Sequence, residues 1–341
     1  MVTIIDTPTL AKLLSRVGVE PLLRELADRI EADFARWPQF EKSARLASHS
    51  KVGVLELMPS ADADWFSFKL VNGHPGNPNQ GLLTVTAIGM LADVATGYPQ
   101  LISEMTVLTA LRTAATSALA ARHLANPGCK VMALIGTGAQ GEFQALAFKA
   151  CVGIGTVRYY DTDHVAMLKF ARNLKGRGIE LVACKSIAEA VNGAQVVTTA
   201  TAVKGAQSVL TDALIETGTH INAIGGDCPG KTELHPALMA RARIFVEYLP
   251  QTRIEGDLQS LGPEGQATEL WEVIAGRLPG RTGREQITIF DSVGFAIEDY
   301  STLRYVYDKA RALGIGSDTA LIPKPPNPKD LFGYVAGIAA L

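Results

Sequence analysis

Apolar positions recur at two different periods, and the change of period divides the chain. Leu10, Leu13, Leu14 and Val17 recur at helical spacing, as do Leu22, Leu23, Leu26 and Ile30, so residues 8–35 are expected to form one or two helices. From 44 to about 104 the period falls to two. KVGVLELMP (51–59) and WFSFKLVNG (65–73) read as strands, with Gly, Pro and Asn clusters between them. In the second, Phe66, Phe68 and Leu70 share one face while Ser67 and Lys69 share the other. LLTVTAIGML (82–91) and QLISEM (100–105) read as a further strand pair around the turn at 95–99. The first hundred or so residues are thus an α+β module.

An Ala-rich helix over about 106–124 leads past Asn126-Pro127-Gly128 into an alternating pattern. KVMALIG, TVRYYD, IELVACK, AQVVTTAT, HINAIGG, RIFVEY and ITIFDSV read as strands separated by helical or loop segments. SIAEAVNG opens with a capping box, Ser186 and Glu189. Such alternation predicts a parallel, doubly wound sheet. A final helix over about 296–313 precedes a Pro-rich tail, 322–328, expected to run back over the first module. The fold class is therefore α/β: a Rossmann-type doubly wound domain over 114–314, and an α+β domain over 1–113 completed by 315–341.

The stretch VMALIGTGAQGEFQALAF (131–148) is the strongest chemical signal. An apolar strand breaks at Gly136-Thr137-Gly138-Ala139-Gln140-Gly141 and resumes as an amphipathic helix. Gly136 suits a tight turn, Gly138 lets backbone approach a phosphate, and Gly141 lets helix and strand pack closely. The helix N-terminus offers free N–H groups to the anion. A second strand ends in Asp161, 25 residues after Gly136, where a carboxylate can accept hydrogen bonds from an adenosine ribose and would repel a 2′-phosphate. The pattern points to NAD. The competing reading is a glycine turn used only for packing.

Composition narrows the partners. The 341 residues are 47% hydrophobic and 19% charged, with formal net charge −2, so neither nucleic acid nor an anionic membrane is expected as a partner. No window reaches the roughly 18 apolar residues of a membrane span. The start of the chain carries Asp6 and no basic segment ahead of a long apolar stretch, so no signal peptide is expected. Cys129, Cys151, Cys184 and Cys228 form no CxxC and suggest reduced thiols in the cytoplasm. The six histidines show no HxxxH or HExxH spacing, and no catalytic metal is expected.

Several polar residues stand where chemistry could occur. Asp227 follows Gly225-Gly226 at the end of a strand, where ligands of open α/β sheets bind; it is either a proton carrier or a helix-capping or turn aspartate. Lys231, four residues on, could pair with Asp227, contact a cofactor or lie on the surface. Lys69 and Glu56 sit inside otherwise apolar strands, facing either water or a lined pocket. Arg45 and Arg112 could bind a substrate carboxylate bidentately or be ordinary surface arginines. Arg112 is the less ordinary, on a helix with few charges.

Taken together, FEKSARLASHS (40–50), VGVLELMP (52–59), FKLVNGHP (68–75), LADVATGYP (91–99), ALRTAATS (110–117), the glycine-turn segment (133–148), NAIGGDCPGKTEL (222–234), VEYLPQTRIEGDLQ (246–259) and FDSVGFAIEDYSTLRYV (290–306) resemble the ornithine cyclodeaminase/mu-crystallin family. The resemblance spans nearly the whole chain. It implies a homodimer with bound NAD that converts L-ornithine to L-proline and ammonia, hydride being removed and returned with no net redox change. The first module then serves substrate binding and dimerisation, and the second binds NAD. The resemblance implies Asp227 as proton donor and acceptor, Glu56 facing the distal amine, and Arg45, Lys69 and Arg112 on the substrate carboxylate, with Val293 lining the pocket by its backbone. For NAD it implies Thr84, Arg112, Gly138, Ala139, Gln140, Asp161, Thr201, Asn222, Ala223, Gly225, Lys231 and Ser292. Gly141, where serine is expected in close relatives, restores a third glycine. Lysine cyclisation, a net reductase or amino-acid dehydrogenase, and a non-catalytic binding protein are the competing readings.

Overall fold

The computed structural model describes residues 1–202 and 205–339. After β1 (Val2–Ile5) the helical stretch divides into α1 (Thr7–Val17) and α2 (Val19–Ala35). Asp6 caps α1 by accepting the Thr9 N–H at 2.9 Å. Gly18, at φ +84°, turns the chain between the two helices. Strands β2 (Glu41–Lys42), β3 (Leu46–His49), β4 (Val54–Ala61), β5 (Trp65–Gly73), β6 (Ala87–Asp93) and β7 (Pro99–Glu104) follow. They form one sheet with spatial order β1-β7-β6-β5-β4, in which β2 and β3 both pair with β4. Only the β1–β7 pairing is parallel among these.

The register of β2 and β3 on β4 shows that they are one interrupted strand. Lys42 pairs with Ser60 and Leu46 with Leu57, so one extra residue is accommodated at 43–45. Such a bulge re-aims side chains, and Arg45 lies in it.

After α3 (Thr106–Leu124) come β8 (Val131–Ile135), α4 (Gly141–Val152), β9 (Thr156–Tyr160), α5 (His164–Leu174), β10 (Glu180–Ala183), α6 (Ile187–Val191), β11 (Val196–Thr199), β12 (Ala206–Leu210), β13 (His220–Ala223), β14 (Thr232–Leu234), α7 (Pro236–Arg241), β15 (Arg243–Val246), α8 (Leu249–Glu255), β16 (Thr268–Glu269), α9 (Leu270–Ile274), β17 (Thr288–Asp291), α10 (Ala296–Leu313) and α11 (Leu331–Ala339). All seven strands expected after residue 128 are present. The second sheet is wholly parallel, in order β10-β9-β8-β11-β13-β17-β15-β16. Its strands run leftward from β8 and then rightward from β11, so the crevice at a topological switch point opens at the carboxyl ends of β8 and β11. The capping box forms with a one-residue offset: Ser186 Oγ accepts the Glu189 N–H, while Glu189 reaches back to the N–H of Lys185.

The two modules meet across α10, which follows the parallel sheet in sequence yet packs on β4, β5, β6 and α2 of the first. Trp37 and Trp271 stack at 6.3 Å near Tyr248 and Phe295, continuing the core across the junction.

Two expectations are corrected. The polar face of β5 is the inward one: Lys69 is 1% exposed, whereas Leu46, Leu55, Leu70 and Ile88 on the opposite face are 40–65% exposed. Leu46, Leu57, Leu70 and Ile88 form a cross-strand row, and Pro59, Phe68, Met90 and Ile102 form the next. The solvent-facing reading of Lys69 and Glu56 therefore fails. Second, the return to the first module is made by Ser317–Thr319, which pair antiparallel with β1, while the Pro-rich tail beyond is mostly exposed and leads into α11.

Candidate active site

The carboxyl ends of five adjacent strands gather the loops named from the sequence: β8 carries Gly136–Gly141, β11 Thr201, β13 Gly225–Asp227, β17 Ser292–Gly294 and β15 Glu247. The inner face of the first sheet supplies Glu56 and Lys69, and α3 supplies Arg112.

The glycine turn is built as a cradle. Gly136 has φ +99°, and a Cβ there would lie 2.5 Å from the Ala200 carbonyl oxygen, so only glycine fits. Gly138 has no atom within 4 Å of where its Cβ would be, leaving backbone open to a ligand. At Gly141 a Cβ would lie 3.2 Å from the Phe170 ring and 3.5 Å from Leu134, which is the close helix–strand packing expected of the third glycine. Asp161 Oδ2 accepts from the Thr137 N–H at 2.6 Å and Oδ1 from the Asp163 N–H at 2.9 Å, so this carboxylate stiffens the turn. Gln140, at the N-terminus of α4, has a buried amide oxygen with no partner. Asn222 is fully buried next to Ala223 at the end of β13, and neither atom of its amide is satisfied. Orphaned buried amides are costly, and together with the open backbone at Gly138 they fit a polar ligand such as a dinucleotide. Thr201 donates from N–H and hydroxyl to Glu233. Gly225 makes room for the same Glu233, whose carboxylate lies where a Cβ would project. Thr84 lies in the β5–β6 loop, its carbonyl accepting from His74 and Asn72, and no contact among the described residues ties it to the glycine turn.

Opposite the cradle is a buried charge network. Lys69 donates to Asp299 at 2.9 Å, and Arg112 contacts Asp299 at 3.1 Å and Glu298 at 2.6 Å. Burial, reinforced by Arg112, pushes Lys69 down to about 8 against the pull of Asp299. Burial likewise raises Glu298 to about 8, with Arg112 opposing. Two buried cations, Lys69 and Arg112, thus face the carboxyl groups of Asp299 and Glu298, and burial disfavours the ionised form of Glu298. Gly294 is required here: at φ +76°, its Cβ would lie 2.5 Å from Arg112 Nη1. Ser292 and the Gly294 N–H both donate to Glu247, whose carboxyl burial raises.

Arg45 is buried, not a surface arginine. Its Nη1 donates to Glu56 at 2.9 Å, and its Nη2 to the carbonyls of Val293 (2.6 Å) and Gly294 (2.9 Å). Its Nε lies 3.1 Å from Glu255. Most of its donors are thus engaged by protein, and it ties the first sheet to α8 and to the end of β17. Asp227 is half-exposed beyond β13 and accepts from Lys231 at 3.0 Å, which realises the expected pairing. Burial lowers Lys231, but the charge and hydrogen bond of Asp227, with Glu233 beyond, together outweigh it and raise the amine. Glu255, Asp299, Glu298 and Glu247 were not singled out from sequence. A signal existed for three of them: Glu298-Asp299 is an adjacent acid pair in the first turn of a helix, and Glu255 lies within the distinctive QTRIEGD block.

The family model for the ornithine cyclodeaminase/mu-crystallin family matches residues 8–314. The chain is 56% identical over 335 residues to the ornithine cyclodeaminase of Brucella suis biovar 1 (strain 1330), covering 98% of this chain and 94% of that protein. The chain belongs to the ornithine cyclodeaminase/mu-crystallin family. Among solved structures, a lysine cyclodeaminase described as recognising L-lysine, L-ornithine and L-2,4-diaminobutyric acid superposes with TM-score 0.88 at 30% identity, covering 97% of this chain and 98% of that one. An archaeal alanine dehydrogenase dimer with bound NAD superposes with TM-score 0.85 at 32% identity, covering 94% and 99%. Members of this family thus share the two-sheet scaffold across different amino-acid chemistries, and the Rossmann-type fold class is the one these neighbours share.

Proposed function

We propose that this chain converts L-ornithine to L-proline and ammonia with NAD as cofactor and no net redox change. The observation that carries the reading is the separation of charge across the crevice. One end holds the buried cations Lys69 and Arg112, suited to a carboxylate. The other holds Glu56 and Glu255 around a single arginine, two carboxyl groups suited to a distal ammonium. A diamino acid complements both ends, and the extensive identity to curated ornithine cyclodeaminases supports ornithine over a longer substrate.

The glycine turn, Ala139, Gln140, Thr201, Asn222, Ala223, Gly225, Lys231 and Ser292 would hold NAD, with Asp161 supporting the adenosine side and Thr84 and Arg112 completing the site. When bound, NAD supplies reversible hydride acceptance, so the hydride taken from the substrate's Cα is returned to the product. Lys69 and Arg112 fix the carboxylate so that Cα is presented in one orientation. Arg45 acts on the carboxylate less directly, because its donors hold Glu56, Val293 and Gly294 in place. Glu56 orients the distal amine. Asp227, half-exposed at the crevice edge and paired with Lys231, carries a proton to the departing nitrogen.

The exposed apolar rows on the first sheet are too extensive for a monomer surface, and an alanine dehydrogenase of this fold is a dimer. A homodimer through that face, residence in the cytoplasm, and the division at 113/114 and 314/315 with α10 as the joining element belong to the same proposal. Among the described residues no helix is long and apolar enough to cross a membrane. Asp227→Asn tests the assignment: proline formation is expected to fall about 10²–10⁴-fold with NAD affinity intact. Full turnover by the variant would remove Asp227 from the mechanism.

A further inference from the structure

Glu255 is the least satisfied group at the acidic end of the crevice. Its Oε2 is buried and accepts no hydrogen bond, and Arg45 Nε, only 3.1 Å away, is equally without an aligned partner. The two form an ion pair without an aligned hydrogen bond. Glu56, by contrast, is committed to Arg45 through an aligned bond of 2.9 Å. An amine cannot attack carbon until its ammonium has lost a proton, and the acceptor must be an oxygen that is not already engaged.

We propose that Glu255 takes the proton from the distal ammonium of the substrate, while Glu56 orients that nitrogen and Arg45 holds the two carboxylates as a bridged pair. This rests on the ornithine reading of the same site. In the step, an N–H bond of the ammonium breaks and an O–H bond forms on Glu255, leaving a neutral amine whose lone pair forms the ring bond. The proton stays in the site and leaves on the departing nitrogen, so a diamino acid cation becomes proline and ammonium with none left over.

The surroundings suit a base working near neutrality. Burial first, then the charges of Glu56 on β4 and Asp227 beyond β13, raise Glu255 to about 7 against the pull of Arg45. The neighbouring Cys228 thiol is raised by burial and stays neutral. Asp257, two residues on, is turned away to the N–H groups of Glu233 and Leu234. On its own helix Gln251 faces the same arginine, accepting the Arg45 N–H at 3.2 Å.

E255Q separates this role from mere support of Arg45, because glutamine keeps an oxygen beside the guanidinium but cannot hold the proton. The expected result is a fall in kcat of about 100-fold or more, with NAD affinity unchanged and a melting temperature no lower than that of the wild type. The kcat–pH profile should lose the limb that rises through about 7 in the wild type, and E255D should restore it. An E255Q enzyme within threefold of wild-type kcat, with its limb intact, overturns the proposal. The wild-type profile carries the same test without a variant: a kcat flat from pH 6 to 8 overturns it. Absence of proline from the wild type would overturn the ornithine reading and this inference with it, whereas an active wild type matched by E255Q overturns this inference alone.

Discussion

Asp299→Asn removes one negative charge from the buried network without opening a cavity. Asp299 is 1% exposed and contacts both Lys69 and Arg112. The site can recover its former net charge in two ways: Lys69 sheds a proton, or Glu298 ionises. Both groups sit at about 8, so either response costs on the order of 1 kcal/mol at pH 7, below both. Only one is needed. The asparagine oxygen keeps one of the two contacts, and the charge-assisted bond that is lost is worth about 1.5 kcal/mol or more. The expected destabilisation is therefore about 3 kcal/mol at pH 7, rising to about 4 at pH 6 and falling to about 1.5 at pH 8. For a chain of 341 residues the unfolding entropy is about 0.7 kcal/mol/K, so Tm should drop about 4 °C at pH 7, about 6 °C at pH 6 and about 2 °C at pH 8. Calorimetry of both proteins at the three pH values measures this. A Tm difference that is independent of pH, or grows toward pH 8, would refute the reasoning.

Three further outcomes are expected. Gly138→Ala should leave the stability of the free protein within about 0.5 kcal/mol, because nothing surrounds that position, yet weaken NAD binding at least about tenfold by titration; equal NAD affinity would move the phosphate cradle elsewhere. Ile88→Glu, in the exposed row with Leu46, Leu57 and Leu70, should yield a monomer by sedimentation, and a dimer that survives the change would place the interface on another face. Stability should fall as pH rises from 6.5 to 8. There the unfolded chain holds no proton on its carboxyls, whereas folded Glu255 (about 7) and Glu298 (about 8) retain theirs, a slope of up to about 1.4 kcal/mol per unit for each group. Two groups act in the opposite sense, His220, buried and lowered to about 3, mainly below about 7, and Lys69, lowered to about 8, mainly above about 7.5, but the two acids outweigh them across the window; urea midpoints that rise between 6.5 and 8 would contradict the buried-acid account.

Local signals carried much of the fold. Helical spacing at 10–17 and 22–30, the Gly136–Gly141 turn and the alternation after residue 128 each specify an element through contacts within a short window, and all of these elements form. Which face of β5 points inward is not local. Phe66, Phe68 and Leu70 look like core and Lys69 like surface, but α10, more than 220 residues on, supplies Asp299 to the lysine and so decides the orientation. The same distance hid the partners of the site. Arg45 is held by Glu255 and by the Val293 and Gly294 carbonyls, none of which shares a helix face or strand register with it. Glu255 by itself is an ordinary helical acid; its character comes from the bulge that aims Arg45 at it and from burial between the two modules. α11 escaped notice because a Pro-rich segment ahead of it reads as an extended tail.

The most direct measurement supplies L-ornithine with sub-stoichiometric NAD⁺ and follows proline, ammonia and NADH together. Equal proline and ammonia over many turnovers of the NAD⁺ present, with no accumulating NADH, is the result this account requires. NADH rising in step with product would instead make the chain a net dehydrogenase on the same scaffold.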